Sequence, residues 1–142
     1  MKSTAKIRYG LQLMLELALR HGQGPVLVPA IAKRQGLPAK YLHVILGSLK
    51  AAGLVRAQRG PTGGCELARP PAAISALEVI EALEGRPAPL QRSGGANVGE
   101  KVVHELTEAS SAAGRDVLAG TTLAQLAARH QVLEVDSDAY SI

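Results

Sequence analysis

The sequence holds no phenylalanine and no tryptophan, and only three tyrosines and one cysteine in 142 residues. A core made without large aromatics must be aliphatic, and Leu, Ile, Val and Ala supply it within a hydrophobic share of 46 %. The single cysteine, Cys65, excludes an intramolecular disulfide and any site that needs several thiolates. No apolar run reaches the length of a membrane span. Residues 11–19 are mostly apolar, but Lys2, Lys6, Arg8 and Glu16 suit an amphipathic helix better than a signal peptide. The expectation is a soluble, cytoplasmic chain of one domain, or one domain with an appendage.

Catalytic signatures are missing too. The glycine-rich stretch Arg59-Gly60-Pro61-Thr62-Gly63-Gly64 lacks the Gly-Lys-Ser/Thr ending of a P-loop and opens no helix. The histidines at 21, 43, 104 and 130 share no metal-ligand spacing with carboxylates or with Cys65. No serine stands in a nucleophile-elbow context. The chain does not read as an enzyme, and no metal site is expected.

Positive charge is present, and unevenly placed. Residues 1–70 carry 11 Lys/Arg against 2 Asp/Glu, a net of +9, and residues 71–142 carry 5 against 10, a net of −5; together these give the overall +4. A basic half next to an acidic half fits a reader of double-stranded DNA with a separate assembly part. Ribosomal and membrane-surface proteins also have basic ends, so charge alone does not decide the partner.

The basic half contains the organising stretch, residues 28–69. Leu42, Ile45, Leu46 and Leu49 fall at i, i+3, i+4 and i+7, one apolar face of a helix. Pro38 suits its first turn and Gly53 its stop. Its other face, Ala39, Lys40, His43, Gly47 and Lys50, is small or basic. Residues 29–35 form a shorter helix before it, with Ile31 and Ala32 inward and Gly36 making the turn. Residues 54–58 and 65–69 read as two strands flanking the glycine-rich loop, whose glycines permit close approach to a phosphate backbone. Val26-Leu27-Val28 is β-prone and fits a third strand. The pattern is a winged helix-turn-helix, although two helices and a hairpin also occur in domains that never touch nucleic acid.

Around this stretch, residues 2–21 read as a helix with Ile7, Leu11, Met14, Leu15 and Ala18 buried. Lys6 near its start is placed to reach a phosphate, and Tyr9 is either a further donor or a core-edge aromatic. Ser75-Ala76-Leu77-Glu78 is a capping box opening a helix, with Leu77, Ile80 and Leu83 inward and Gly85 as its stop. Glu78, Glu81 and Glu84 are expected to face water or a partner. Residues 97–118 read as one long helix in which Val98, Val102, Leu106, Ala109, Ala113 and Val117 form a narrow apolar stripe. Such a stripe beyond the globular part calls for a partner, most simply the same helix of a second chain. Thr122 and Gln125 have capping-box spacing and start a last short helix. The expected layout is a DNA-binding domain at 1–85, a flexible loop at 86–96, dimerisation and final helices at 97–130, and a frayed tail at 131–142. The fold class is mainly α with a small β-hairpin wing.

These residues carry a resemblance. Lys6 and RYG at 8–10, GPV at 24–26, IAKRQGLPAKYL at 31–42, AGLV ending at Val55, RGPTGG at 59–64, LARPP at 67–71, EVIEALEG at 78–85 and TLAQLA at 122–127 resemble the Rrf family of winged-helix transcription regulators, of the IscR, NsrR and CymR type. The resemblance implies a homodimer with crossed long helices, a recognition helix at 39–52 in the major groove, and a wing at the minor groove or backbone. It makes Lys40, Tyr41 and His43 candidate contacts, with Arg59 on the wing. Arg56, Gly60, Pro61, Gly63 and Gly64 complete the candidate DNA surface.

One departure matters. Iron–sulfur members carry three cysteines between the helix at 76–84 and the long helix, and this chain has none there. His104 falls where some members have a histidine ligand, but Lys101 stands where a cysteine would be. No iron–sulfur cluster is therefore expected. The functional expectation is a sequence-specific regulator, a repressor, acting as a homodimer on a pseudo-palindromic operator. Its signal is open: a small-molecule effector, a protein partner, or oxidation of Cys65, the candidate redox residue. The alternative outside that class is a protein-interaction module that has lost DNA specificity.

Overall fold

The computed structural model describes residues 5–60, 63–85 and 97–140. In chain order the elements are α1 (Ala5–Leu19), α2 (Val28–Gln35), α3 (Ala39–Ala51), β1 (Val55–Gln58), β2 (Gly64–Leu67), a 3-10 turn (Pro71–Ala73), α4 (Ala76–Glu84), α5 (Val98–Ala119) and α6 (Leu123–Tyr140). The loop expected at 86–96 lies outside the described residues, as does Lys2.

The core is aliphatic and joins α1 through α4, both strands and the start of α6, while α5 adds no buried residue to it. Leu13, Met14 and Leu17 of α1, Ile31 of α2, Leu42, Ile45 and Leu49 of α3, Leu67 of β2, Val79 and Leu83 of α4 and Leu123 of α6 belong to one buried cluster. α1 lies at its centre and packs against α3, α4 and α6. That explains a difference from the expected single stripe: Leu13 and Leu17 are buried, while Leu11 and Leu15 are only half-buried. A helix surrounded on several sides buries more than one face.

The helix-turn-helix follows from local chemistry. Gly36 ends α2 at φ 65° and ψ 40°, a left-handed conformation that costs glycine nothing, and its N–H donates to the Ala32 carbonyl. Pro38 stands just before α3, at φ −67° and ψ 124°, so it caps the helix rather than opening its first turn. The α3 exit closes with the Leu54 N–H donating to the Leu49 carbonyl at 3.0 Å, while Gly53 takes φ 74°.

The hairpin pairs β1 and β2 antiparallel, with Val55 opposite Leu67, Arg56 opposite Glu66 and Ala57 opposite Cys65. The third strand reduces to one bridge, Val26 to Cys65, with both N–H···O bonds at 2.8 Å. α2 begins at Val28, with a proline in its first turn, so the extended run ends there.

Two backbone bonds tie the chain around residues 121–123 to the entry of α4. The Ala76 N–H donates to the Thr121 carbonyl at 2.8 Å, and the Leu123 N–H to the Ile74 carbonyl at 2.9 Å. Both expected capping boxes are present: Ser75 with Glu78 at the start of α4, and Thr122 with Gln125 at the start of α6. The frayed tail expected at 131–142 is corrected, because α6 continues to Tyr140. No glycine or proline interrupts residues 121–140, and Gln131, Leu133 and Glu134 are good helix formers, so nothing stops the helix at 130.

Candidate nucleic-acid interface

α3 sits on the core through Leu42, Ile45, Leu46 and Leu49, all buried, which turns its other side outward. Lys40, Tyr41, His43, Gly47 and Lys50 are exposed on that side. Val44 joins them, 64 % exposed. The sequence reading passes over Val44, although its spacing to Lys40 and Gly47 places it on their face. A bare aliphatic side chain between polar neighbours is the kind that meets a thymine methyl in the major groove.

Tyr41 is held from behind. Its ring meets that of Tyr9 edge-on, with centroids 5.8 Å apart and planes at 77°. Tyr9 is half-buried on α1, so the core-edge alternative describes it, and it fixes a partner at the front of the recognition helix. Lys6 lies half-buried a turn earlier on the same helix, and Arg8 is exposed.

On the wing, Arg59 and Gly60 are exposed at the end of β1, and Pro61 lies outside the described residues. Arg56 is exposed on the outer face of the hairpin and pairs loosely with Glu66, its cross-strand partner, at 3.8 Å. The glycines differ from expectation. A Cβ on Gly63 would stand 2.3 Å from the Gln58 carbonyl oxygen, and one on Gly64 2.5 Å from that of Val26. Gly63 is buried and Gly64, at φ 149°, is half-buried. Gly63 is thus corrected from a DNA-facing residue to one pressed against its own chain. Gly63 closes the turn on residues 58–60, Gly64 lets the wing sit on the bridge at Val26, and Gly60 is left as the wing's open glycine, with nothing within 4 Å of where a Cβ would stand.

Cys65 lies under the wing at 2 % exposure, its thiol donating to the Val26 carbonyl at 3.5 Å. Burial pushes its pKa up to about 11, only partly opposed by Lys50. Glu78, expected to face water or a partner, keeps a side chain 41 % exposed while it accepts from Arg69 and closes the cap with Ser75, and these bonds hold its carboxyl below the ordinary range. Glu81 pairs with Arg115 of α5 at 3.4 Å.

An exposed basic recognition helix, a wing with Arg59 at its tip and a basic first helix make this a winged helix-turn-helix DNA-binding transcription regulator, a class without enzymatic activity. The whole-chain comparisons give its kin. Residues 3–129 match the family model "Rrf2: Iron-dependent Transcriptional regulator", and the chain belongs to that family. It is 43 % identical over 91 residues to the transcriptional regulator CymR of Bacillus subtilis, covering 64 % of this chain and 66 % of that one. It is 35 % identical over 138 residues to the transcriptional regulator IscR of Escherichia coli, covering 95 % of this chain and 85 % of that one. The solved structure of CymR, the global cysteine regulator of B. subtilis, superposes with a TM-score of 0.80 at 37 % identity, covering 91 % of this chain and 98 % of that one.

Proposed function

We propose that this regulator is a repressor that works as a homodimer on a pseudo-palindromic operator. The observation that carries the proposal is α5. It runs for 22 residues and buries none of them. Val98 (76 % exposed), Val102, Leu106 (69 %) and Val117 lie bare along it, with Ala109 and Ala113 between. Water does not favour such a stripe, and the same stripe of a second copy matches it. A two-fold axis along this seam would give two recognition helices, to be seated in successive major-groove turns about 34–36 Å apart.

In each half, Lys40, Tyr41, His43 and Val44 are the proposed groove contacts. Arg59 and Gly60 are the wing contacts, and Lys6 and Arg56 reach phosphates. Repression then needs only occupancy of promoter DNA.

We propose further that the regulator works without an iron–sulfur cluster. The family's description names iron, but the donors here do not fit one. The chain's one cysteine is buried under the wing, and Lys101 and His104 lie exposed on α5 with no cysteine near them in sequence. Among the described residues no group of three or more His, Cys, Asp or Glu could hold a metal ion. The same burial speaks against Cys65 oxidation as the signal, which leaves a small-molecule effector or a protein partner.

Light scattering tests the assembly. The wild-type chain should have the mass of a dimer at micromolar concentration, and Leu106→Glu, which places charge in the seam, should have that of a folded monomer. A monomeric wild type, or a dimer indifferent to Leu106→Glu, would contradict the seam. A reporter driven by the bound promoter should rise when the gene is deleted; a fall would show an activator.

A further inference from the structure

Glu16 is the only charged residue buried among those described, at 3 % exposure on α1. Its carboxylate accepts from three side chains: Gln35 at 3.0 Å, Arg34 at 3.1 Å and Arg20 at 3.3 Å. Burial alone pushes the carboxyl pKa up, but these bonds outweigh it and hold the group below its ordinary value. A buried charge is an expensive way to fill space, and an apolar residue of similar size often serves a core as well. What a charge adds is direction, because a carboxylate accepts only along its lone pairs.

The direction here is toward the helix-turn-helix. Arg34 and Gln35 are the last two residues of α2, directly ahead of Gly36 and the turn into α3. The apolar hold of α2 on the core is short, with Val28 and Ala32 half-buried beside Ile31. The helix is eight residues long and buries only Ile31. Its leading end is tied by the Val26–Cys65 bridge, and its trailing end is tied to Glu16. Arg20, by contrast, lies in the turn directly after α1, four residues from Glu16, and fixes nothing between helices.

We infer that Glu16 is a positioning residue for DNA recognition: it clamps the end of α2 to α1 and so sets the angle at which the turn delivers α3 to the major groove. It touches no DNA. The inference rests on the DNA-binding reading of α3 and the wing. It separates two pairings that look alike, since the Arg34 and Gln35 bonds cross between helices and the Arg20 bond does not.

The test uses the full-length chain and two duplexes: one selected by the wild type from a random library, and a scramble of it. Glu16→Gln should weaken binding to the selected duplex about tenfold or more, the cost of about one misread base pair. Binding to the scrambled duplex should be unchanged, since the phosphate-facing cations remain. Because Glu16→Gln risks the fold, Arg34→Met and Gln35→Ala repeat the test from the surface side. Both should lower the preference, and Arg20→Met should leave it at the wild-type level. The salt slope should stay constant in Arg34→Met, whereas loss of a direct phosphate contact lowers it by about one. Folded Arg34→Met and Gln35→Ala variants with wild-type preference would overturn the inference. So would a loss shared equally by both duplexes, or the same loss in Arg20→Met. A wild type that selects no duplex at all would remove the DNA-binding reading and the positioning role with it.

Discussion

Gly64 and Cys65, adjacent in β2, show how much of the wing depends on single residues. Gly64 adopts φ 149°, and a Cβ there would meet backbone of residues 26 and 27 rather than a movable side chain. Gly64→Ala should therefore cost about 1–3 kcal/mol in chemical denaturation, the range for strained backbone positions. It should also loosen the wing before the rest of the domain. Unchanged stability would show that the bridge at Val26 yields easily. Cys65 is the opposite case, a residue whose chemistry is suppressed. With its pKa pushed up to about 11, it stays a thiol at neutral pH. A thiol reagent at pH 8 should label the folded chain many times more slowly than the urea-unfolded chain. Equal rates would reopen Cys65 as a sensor. The sequence places a third strand at residues 26–28, but not how closely Gly64 approaches it, because that contact depends on the fold bringing residues 26 and 64 together.

At the scale of the element, local signals transfer well and long-range ones do not. The capping boxes at Ser75 and Thr122 and the apolar face of α3 were legible, because each is a pattern within one turn or one helix. The breadth of α1's buried surface was not, because it depends on which helices surround α1. The length of α6 was open to reading, in a stretch from 121 to 140 with no glycine or proline to stop it. Glu16 and Glu78 would both pass for solvated charges in the sequence, yet each carboxyl is held below its ordinary value by partners from another segment. The sign of their effect on stability follows. A depressed folded pKa contributes fully above the ordinary glutamate value of 4.5, and the contribution is lost as pH falls through the lower folded value. The melting temperature should therefore drop as pH is lowered from about 4.5. The drop should be shallower in Glu78→Gln, which starts lower and has less to lose. Parallel curves for wild type and variant would exclude Glu78 from the acid response.

Across the whole molecule, division of labour explains the charge map. The basic half builds the surface for DNA, and the more acidic half carries α5, whose uncovered apolar stripe is the proposed seam. Family, fold and recognition helix could be read from sequence because the helix-turn-helix is compact and its motifs are contiguous. Val44 could be read too, from its spacing to Lys40 and Gly47, but the Tyr9–Tyr41 contact and the inward role of Gly63 could not, because each depends on which way a residue points once the core has closed.

The most direct test of the account is a salt titration of binding to the selected and scrambled duplexes by the wild type, Lys40→Ala and Arg59→Ala. The wild type should prefer the selected duplex by about a thousandfold or more. Its affinity should fall steeply with salt, and each substitution should weaken binding and reduce the salt slope by about one per lost phosphate contact. Equal, weak binding of both duplexes, untouched by either substitution, would contradict it.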